Sequence, residues 1–382
     1  MQIEFAKCQF GEEEKDAVNR VMSTHWLASG KENEAFEREF ADYVGVKYAV
    51  CCNSGSSANL LALASLGLRK DSWVLTSACG FPATLSPILH LGLKPLLIDY
   101  DYKTHNISVN DVIDNLSKVS AVIFAHTMGN PVNMASIIYH AGQLGIPVIE
   151  DCCEAVGASY MGFRVGSHGT LGTFSFYPAH QMTALGGGGM VVTNSEELYQ
   201  RMKSLRDWGK MYDWDSDKGG NQTDYSSPIG YHRGYTYQSV GWNFKLPEAN
   251  CAFGREQLKK LDSFNQQRRE NWVYLYEKLL DVEELYIPVM SAGSAPFGFL
   301  MNLKDGDVRE FGKYLERCGI KHRPFFAGNI LRQPAFKSPD ADKFTNADHL
   351  MNHSIFIGCW AGMTKEMLDY IVETIHAYFV HS

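Results

Sequence analysis

The sequence predicts an α/β protein built on a mainly parallel sheet, with a smaller α+β unit toward its C-terminus. Three observations carry this reading. Between residues 47 and about 206, short β-rich apolar runs alternate with helical patterns, the order expected when strands return through crossover helices. The chain has 382 residues, too many for one ordinary core and suited to two packed units of roughly 100–250 residues. Beyond a polar stretch at 213–230, long helical periodicity sets in and then gives way to a few strand and helix patterns.

Taken in order, GEEEKDAVNRVMS and NEAFEREFADYVG read as amphipathic helices with acidic first turns, placed to cover the sheet or a partner subunit. KYAVCC is a strand leading into the helix SSANLLALASLGL, and WVLTS leads into ATLSPILHLG. KPLLIDY follows as a strand, SAVIFAH precedes the helix MASIIYHAGQLG, and IPVIED closes the alternation. A parallel sheet of this kind binds its ligand at the C-terminal ends of its strands. The segment DWDSDKGGNQTDYSSPIG (213–230) is rich in turn residues and long for a connection, the profile of an active-site or interface loop. PEANCAFGREQLKKLDSFNQQRRENWVYLYEKLL then reads as one bridging helix. After it, FGFLMNL and FIGC are strand-like, and DVREFGKYLERCG and EMLDYIVETIHAYFV are helical. The expected division is a large α/β domain over 1–246 and a small α+β domain, with its bridging helix, over 247–382.

Charge and composition exclude several roles. Against 43 acidic residues stand 35 basic ones, a formal charge of −8 with no lysine/arginine block, so neither nucleic acid nor an anionic membrane surface is an expected partner. The longest uncharged stretch, 72–93, is interrupted by prolines, glycines and hydroxyl residues and makes a poor membrane span. MQIEFAKCQFGEEEK turns acidic before an apolar stretch can develop, which gives the expectation of a cytoplasmic protein without a secretory signal. Nine cysteines, including the adjacent pairs Cys51/Cys52 and Cys152/Cys153, show neither disulfide-framework spacing nor a CxxC metal pair. Reduced thiols and no bound metal are expected.

Three segments carry candidate chemistry. Asn53-Ser-Gly-Ser-Ser-Ala-Asn59 follows a strand and opens a helix, aiming the N–H groups of Gly55, Ser56 and Ser57 toward one point where a phosphate would fit. Turns of this composition also serve simply as helix caps. Asp151 ends a buried strand, where an ionised carboxylate needs a compensating partner; a protonated heterocyclic nitrogen, an ion pair or a capping role would each supply one. Thr173-Phe-Ser-Phe-Tyr-Pro-Ala-His180 sets the Ser175 hydroxyl five residues before an imidazole, with Gly186 to Gly189 close behind to let the backbone turn.

Together these segments resemble the sugar aminotransferases of the fold-type I pyridoxal-phosphate (PLP) superfamily, the DegT/DnrJ/EryC1/StrS family. The resemblance runs from HWLASGKENEAFEREFADYVGVKYAV through NSGSSANLLAL, EDCCEAVGASY, GTFSFYPAH and GWNFKLPEANCAFGREQL to FIGCWAGMT. It implies the PLP-dependent transferase fold type I, with Gly55, Ser56, Ser57 and Ser175 holding the cofactor phosphate and Phe81 stacking on the ring. It further implies that Asp151 pairs with the pyridine nitrogen, that Glu154 lies near the ring substituents, and that Asn243 reaches the phosphate of the neighbouring subunit in a homodimer.

His180 stands where this family normally carries its Schiff-base lysine. Imidazole has no primary amine, so the resemblance implies a noncovalent cofactor with pyridoxamine phosphate (PMP) as a natural resting form, and a histidine able to move protons. Histidine in SFYPAH resembles the nucleotide-sugar 3-dehydratases that make 3,6-dideoxyhexoses. In that chemistry the PMP amine condenses with a C4 ketone, histidine removes a proton from the cofactor C4′, and the C3 hydroxyl leaves as water. Some such enzymes, acting on a CDP-sugar, draw on a reductase through a [2Fe–2S] cluster; others, acting on a GDP-sugar, use L-glutamate to regenerate PMP. The cluster pattern C-x57-C-x-C-x7-C begins at Cys153, but Met211, Asp213 and Asn221 occupy its other positions. No iron–sulfur cluster is therefore expected, and Cys153 reads as a small buried hydrophobe. Gly187, where many relatives have glutamate, and Gln181, where the dehydratases often have a second histidine, depart from the pattern. His232, Arg233 and Arg332 resemble substrate-side segments; an arginine there would pair with a sugar nucleotide's diphosphate or form a surface ion pair. The expected activity is a PLP/PMP-dependent 3-dehydratase of a nucleotide-linked 4-keto-6-deoxyhexose, the alternatives being a nucleotide-sugar aminotransferase and a catalytically degenerate PLP-binding regulatory protein.

Overall fold

The structure is a computed structural model that describes residues 1–211 and 224–380. Two amphipathic helices, α1 (Glu12–Thr24) and α2 (Lys31–Val44), lead into the strand β1 (Tyr48–Cys52). Then follow α3 (Gly55–Ser65), β2 (Trp73–Ser77), α4 (Pro82–His90), β3 (Lys94–Ile98), a hairpin of β4 (Tyr100–Asp101) and β5 (Asn106–Ile107), α5 (Val109–Asn115), β6 (Ala121–Ala125), α6 (Met134–Leu144) and β7 (Val148–Asp151). A second hairpin, β8 (Ser159–Tyr160) with β9 (Phe163–Arg164), precedes β10 (Leu171–Ser175), β11 (Gly189–Thr193) and α7 (Glu196–Arg206). The seven-stranded sheet runs β1-β11-β10-β7-β6-β2-β3. Only β11 is antiparallel to its neighbours, so the sheet is mainly parallel as the alternation predicts.

Alternating side chains of each strand point to opposite faces, and the helices cover both. Ala49 and Cys51 of β1 pack with Phe36 and Phe40 of α2, whereas Val50 and Cys52 pack with Ala58 and Leu61 of α3. Burial on both faces explains why these strands read as continuous apolar runs.

The 32-residue helix α8 (Glu248–Leu279) joins the two cores: Cys251 and Leu261 lie with the large sheet, and Trp272, Leu275 and Leu279 with the small one. The small sheet is antiparallel, ordered β12 (Leu285–Tyr286), β13 (Phe299–Leu303), β15 (Ser354–Ile357), β14 (His322–Pro324). Helices α9 (Val308–Arg317), α10 (Thr345–His353) and α11 (Lys365–Val380) pack around it. The first residues of the chain also lie with this sheet, Ile3 bridging Ile320. Most of the expected loop at 213–230, residues 213–223, falls outside the described residues. No helix among the described residues is long and apolar enough to cross a membrane.

Candidate active site

The C-terminal ends of β1, β2, β7 and β10 open into a cavity of about 860 Å³, closed on its far side by Phe297, Arg323, Phe326 and Phe356 from around the small sheet. One wall is the start of α3. Ser54 caps that helix, its hydroxyl oxygen accepting the Ser57 N–H at 3.1 Å and lying 3.0 Å from the Ser57 hydroxyl. Ser54, Gly55 and Ser56 line the cavity and Ser57 does not. The Ser57 N–H, which the sequence reading groups with those of Gly55 and Ser56, is bonded to the Ser54 cap. Gly55 and Ser56 open the first turn, where no earlier helical carbonyl is available to their N–H groups. A Cβ on Gly55 would stand 2.6 Å from Ser175 Cβ and 2.8 Å from Cys153 Sγ. Only glycine lets the turn come this close to Ser175, and the concave, donor-rich corner that results fits a phosphate.

Asp151, at the end of β7, is buried and faces the cavity. Asn59 Nδ2 and Thr84 Oγ1 donate to its Oδ2 at 2.7 and 2.8 Å, and the Cys153 N–H donates to Oδ1 at 3.1 Å. Such a held carboxylate suits a protonated ring nitrogen. Phe81, the residue before α4, lies on the same wall, 56% exposed and available to cover the face of a ring.

Glu154 is buried, and its Oε2 accepts the Met128 N–H at 2.7 Å. Met128 adopts a left-handed φ of 57°, uncommon for a side chain of this size. Burial pushes the Glu154 carboxyl up to about 8, and the nearby charge of Asp151 acts in the same direction. At neutral pH it is mostly protonated and can donate a hydrogen bond.

His180 follows β10 and lines the cavity. Its Nδ1 lies 3.1 Å from the Ser175 carbonyl oxygen, which can only accept, so Nδ1 carries the hydrogen and Nε2 is the basic nitrogen of the neutral ring. Burial brings the imidazole down to about 4; the bond to Ser175 opposes this, and the charge of Arg268 reinforces it. The Phe297 ring packs against it edge-on, with centroids 5.2 Å apart. No lysine side chain lines the cavity among the described residues.

The remaining sequence candidates lie elsewhere. Asn243 is exposed and off the cavity of its own chain, in a bridge to Asp207. His232 caps a short turn through Nδ1, accepting the Gly234 N–H at 3.2 Å, and Arg233 Nη1 bonds the Ser226 hydroxyl at 3.1 Å. Arg332 is committed to two carboxylates, Asp348 and Asp342, each at 2.6 Å. These ion pairs satisfy its charge within the chain. Cys153 is half-buried in the cavity wall, which corrects its reading as a buried hydrophobe. Of the positions opposite it in the cluster pattern, Asp213 and Asn221 lie outside the described residues.

Asn59, Thr84 and Arg323 are cavity residues that sequence reasoning passed over. For Asn59 a signal existed: an amide inside the otherwise apolar helix face ANLLAL must find a buried partner. Gln181 is also buried, its Nε2 donating to the carbonyls of Glu154 at 2.6 Å and Ala295 at 2.8 Å.

Residues 9–376 match the model of the DegT/DnrJ/EryC1/StrS aminotransferase family. The chain is 39% identical over 378 residues to the lipopolysaccharide biosynthesis protein RfbH of Salmonella typhimurium, covering 93% of this chain and 86% of that protein. It is 30% identical over 369 residues to a GDP-4-keto-6-deoxy-D-mannose 3-dehydratase of Yersinia pseudotuberculosis, covering 92% and 93%. A crystal structure of GDP-4-keto-6-deoxymannose-3-dehydratase with bound GDP-perosamine superposes with a TM-score of 0.90 at 27% identity, over 98% of this chain and all of the other. Another structure of that enzyme, holding a trapped PLP-glutamate geminal diamine, superposes equally well. The fold is thus that of the PLP-dependent aminotransferases, and the chain belongs to the DegT/DnrJ/EryC1/StrS aminotransferase family.

Proposed function

We propose that this protein is a nucleotide-sugar 3-dehydratase, removing the C3 hydroxyl of a nucleotide-linked 4-keto-6-deoxyhexose on the way to 3,6-dideoxysugars such as those of lipopolysaccharide O-antigens. The observation that carries the reading is His180: an imidazole with its basic Nε2 at the position of the family's Schiff-base lysine, in a cavity wall without lysine among the described residues. The name of the Yersinia relative supports it, as does that of a dTDP-4-dehydro-2,6-dideoxy-D-glucose 3-dehydratase of Saccharopolyspora spinosa, 38% identical over 381 residues.

The cofactor is PLP or PMP, held noncovalently; when bound it supplies an amine and an electron sink. Gly55, Ser56 and Ser175 would bind its phosphate, with Ser57 supporting the turn through Ser54. Asp151, oriented by Asn59 and Thr84, would keep the ring nitrogen protonated, and Phe81 would cover the ring. His180 Nε2 takes up a proton and returns it, which its neutral state at pH 7 permits. Glu154, protonated at that pH, serves as donor. With Met211 in place of a cluster cysteine, regeneration of PMP by L-glutamate, rather than electron delivery through an iron–sulfur cluster, completes the turnover. Asn243 would act in the neighbouring site of a homodimer.

Incubation with PLP, L-glutamate and a panel of CDP-, GDP- and dTDP-linked 4-keto-6-deoxysugars, followed by mass spectrometry, tests this. Loss of the C3 oxygen is the expected result. A product in which nitrogen replaces the keto oxygen would instead identify an aminotransferase, and no turnover on any sugar a degenerate protein.

A further inference from the structure

Arg268 lies inside α8, 4% exposed, at the junction of the two cores. Its Nη2 donates to the His180 carbonyl at 2.8 Å, and its Nη1 to the carbonyls of Pro296 and Phe297, both at 3.2 Å. No carboxylate among the described residues pairs with it, and its Nε is buried without an acceptor. A buried cation answered by carbonyls and the Cys359 thiol, with no carboxylate, is expensive to keep, and an apolar side chain of similar size would pack there at lower cost. What the guanidinium achieves is a junction between the segment carrying His180 and the segment 295–297.

That segment is fastened to the rest of the site. Phe297 N–H donates to the Met128 carbonyl at 3.1 Å, and Ala295 N–H to that of Gly129 at 2.9 Å. A Cβ on Gly129, whose φ is 80°, would lie 1.8 Å from the Ala295 carbonyl oxygen. Met128 holds Glu154, Gln181 ties the Glu154 and Ala295 carbonyls together, and the Phe297 ring bears on the His180 imidazole. We propose that Arg268 is a positioning residue for His180: its guanidinium locks the backbone of the base to the strap 295–297, and the strap's Phe297 ring sets the imidazole against the cavity. The charged groups facing His180 are Arg268 from α8 and Asp151 from β7, with the Ser175 carbonyl on Nδ1. Only the kinetic arm of the test rests on the dehydratase reading.

The experiment combines histidine-selective 15N NMR of the full chain, with the His180 signals assigned by His180→Asn, and steady-state kinetics with PLP, L-glutamate and the accepted sugar. In the unsubstituted protein His180 should be the Nδ1–H tautomer and titrate near 4. In Arg268→Gln its midpoint should rise toward the ordinary 6.5, and kcat should fall by about 10- to 100-fold with KM within about twofold. Arg268→Lys, keeping the charge but not the fork of donors, should leave the midpoint near 4 and still lose at least about tenfold in kcat. If the Arg268 variants do not fold, Phe297→Leu, which leaves the guanidinium bonded, should broaden the His180 signals and lower kcat. A folded Arg268→Gln protein with unchanged His180 tautomer and midpoint would overturn the proposal, even with reduced stability, as would Phe297→Leu with unchanged His180 signals and kcat. If no sugar is turned over, the dehydratase reading fails, and the NMR arm still decides the role of Arg268.

Discussion

The Asn59 amide donates to Asp151 Oδ2 at 2.7 Å, while its own Oδ1 accepts the Thr173 hydroxyl at 2.5 Å. One side chain of α3 thus links the carboxylate at the end of β7 to β10. Both ends of this amide are buried, so removing it leaves a buried carboxylate short of one donor and a hydroxyl short of its best acceptor. Asn59→Ala should destabilise the protein by about 1–3 kcal/mol in urea unfolding, and PLP should be released more readily on dialysis. Full stability in this variant would show that Thr84 and the Cys153 N–H suffice to hold Asp151.

Opposite shifts at Glu154 and His180 give a signed dependence of stability on pH. Burial pushes the Glu154 carboxyl up to about 8 in the folded protein, from an ordinary 4.5. The native state therefore holds the extra proton between those values, and this group's stabilisation is lost as pH rises through 8. His180 and the buried His105, both brought down to about 4 chiefly by burial, act the other way. Between about 4 and 6.5 the unfolded chain binds more protons, so their contribution makes stability rise with pH. Urea midpoints across pH 4–9 should show Glu154→Gln losing the decline between about 6.5 and 8 while keeping the acid limb. A decline that survives the substitution would assign it to another group.

Because no lysine lines the cavity among the described residues, borohydride treatment of the PLP-loaded protein should add no cofactor mass in intact-mass measurement. Placing an amine there by His180→Lys should produce a borohydride-stable adduct and move the products from C3 deoxygenation toward transamination. A pyridoxyl adduct at any lysine of the unsubstituted protein would refute noncovalent binding, and undiminished deoxygenation by His180→Lys would show that imidazole is not the required base.

The sheet was legible where burial on both faces wrote apolar runs, as in WVLTS and SAVIFA, and where loops carried glycine. The strand β11, GMVVT, was read only as the tail of a glycine run, and its antiparallel course follows from pairing between β1 and β10, which no local pattern encodes. The helix α7, EELYQRMKSLR, carries its apolar residues Leu198, Tyr199, Met202 and Leu205 at helical spacing within an otherwise polar run, and they pack on the core. In the site, residues in contiguous motifs could be named from sequence: Gly55, Asp151, Ser175 and His180. Those acting through long-range pairing could not. Arg268 lies 88 positions from the carbonyl it bonds, and in the sequence it is one arginine of the polar run NQQRRENW.

Asn243 gives the last prediction. It is exposed and lies off the cavity of its own chain, and the family resemblance assigns it to a cofactor phosphate, so the reading proposed for it is service in a neighbouring subunit's site. Two inactive variants, His180→Asn and Asn243→Ala, should then complement each other when mixed under conditions of subunit exchange. A heterodimer has one site with both lesions and one with neither. With statistical mixing half of the dimers are mixed, so about a quarter of the unsubstituted activity should return. Differently tagged subunits verify that exchange has occurred. If heterodimers form and stay inactive, Asn243 acts within its own subunit or not at all, and the shared site is wrong.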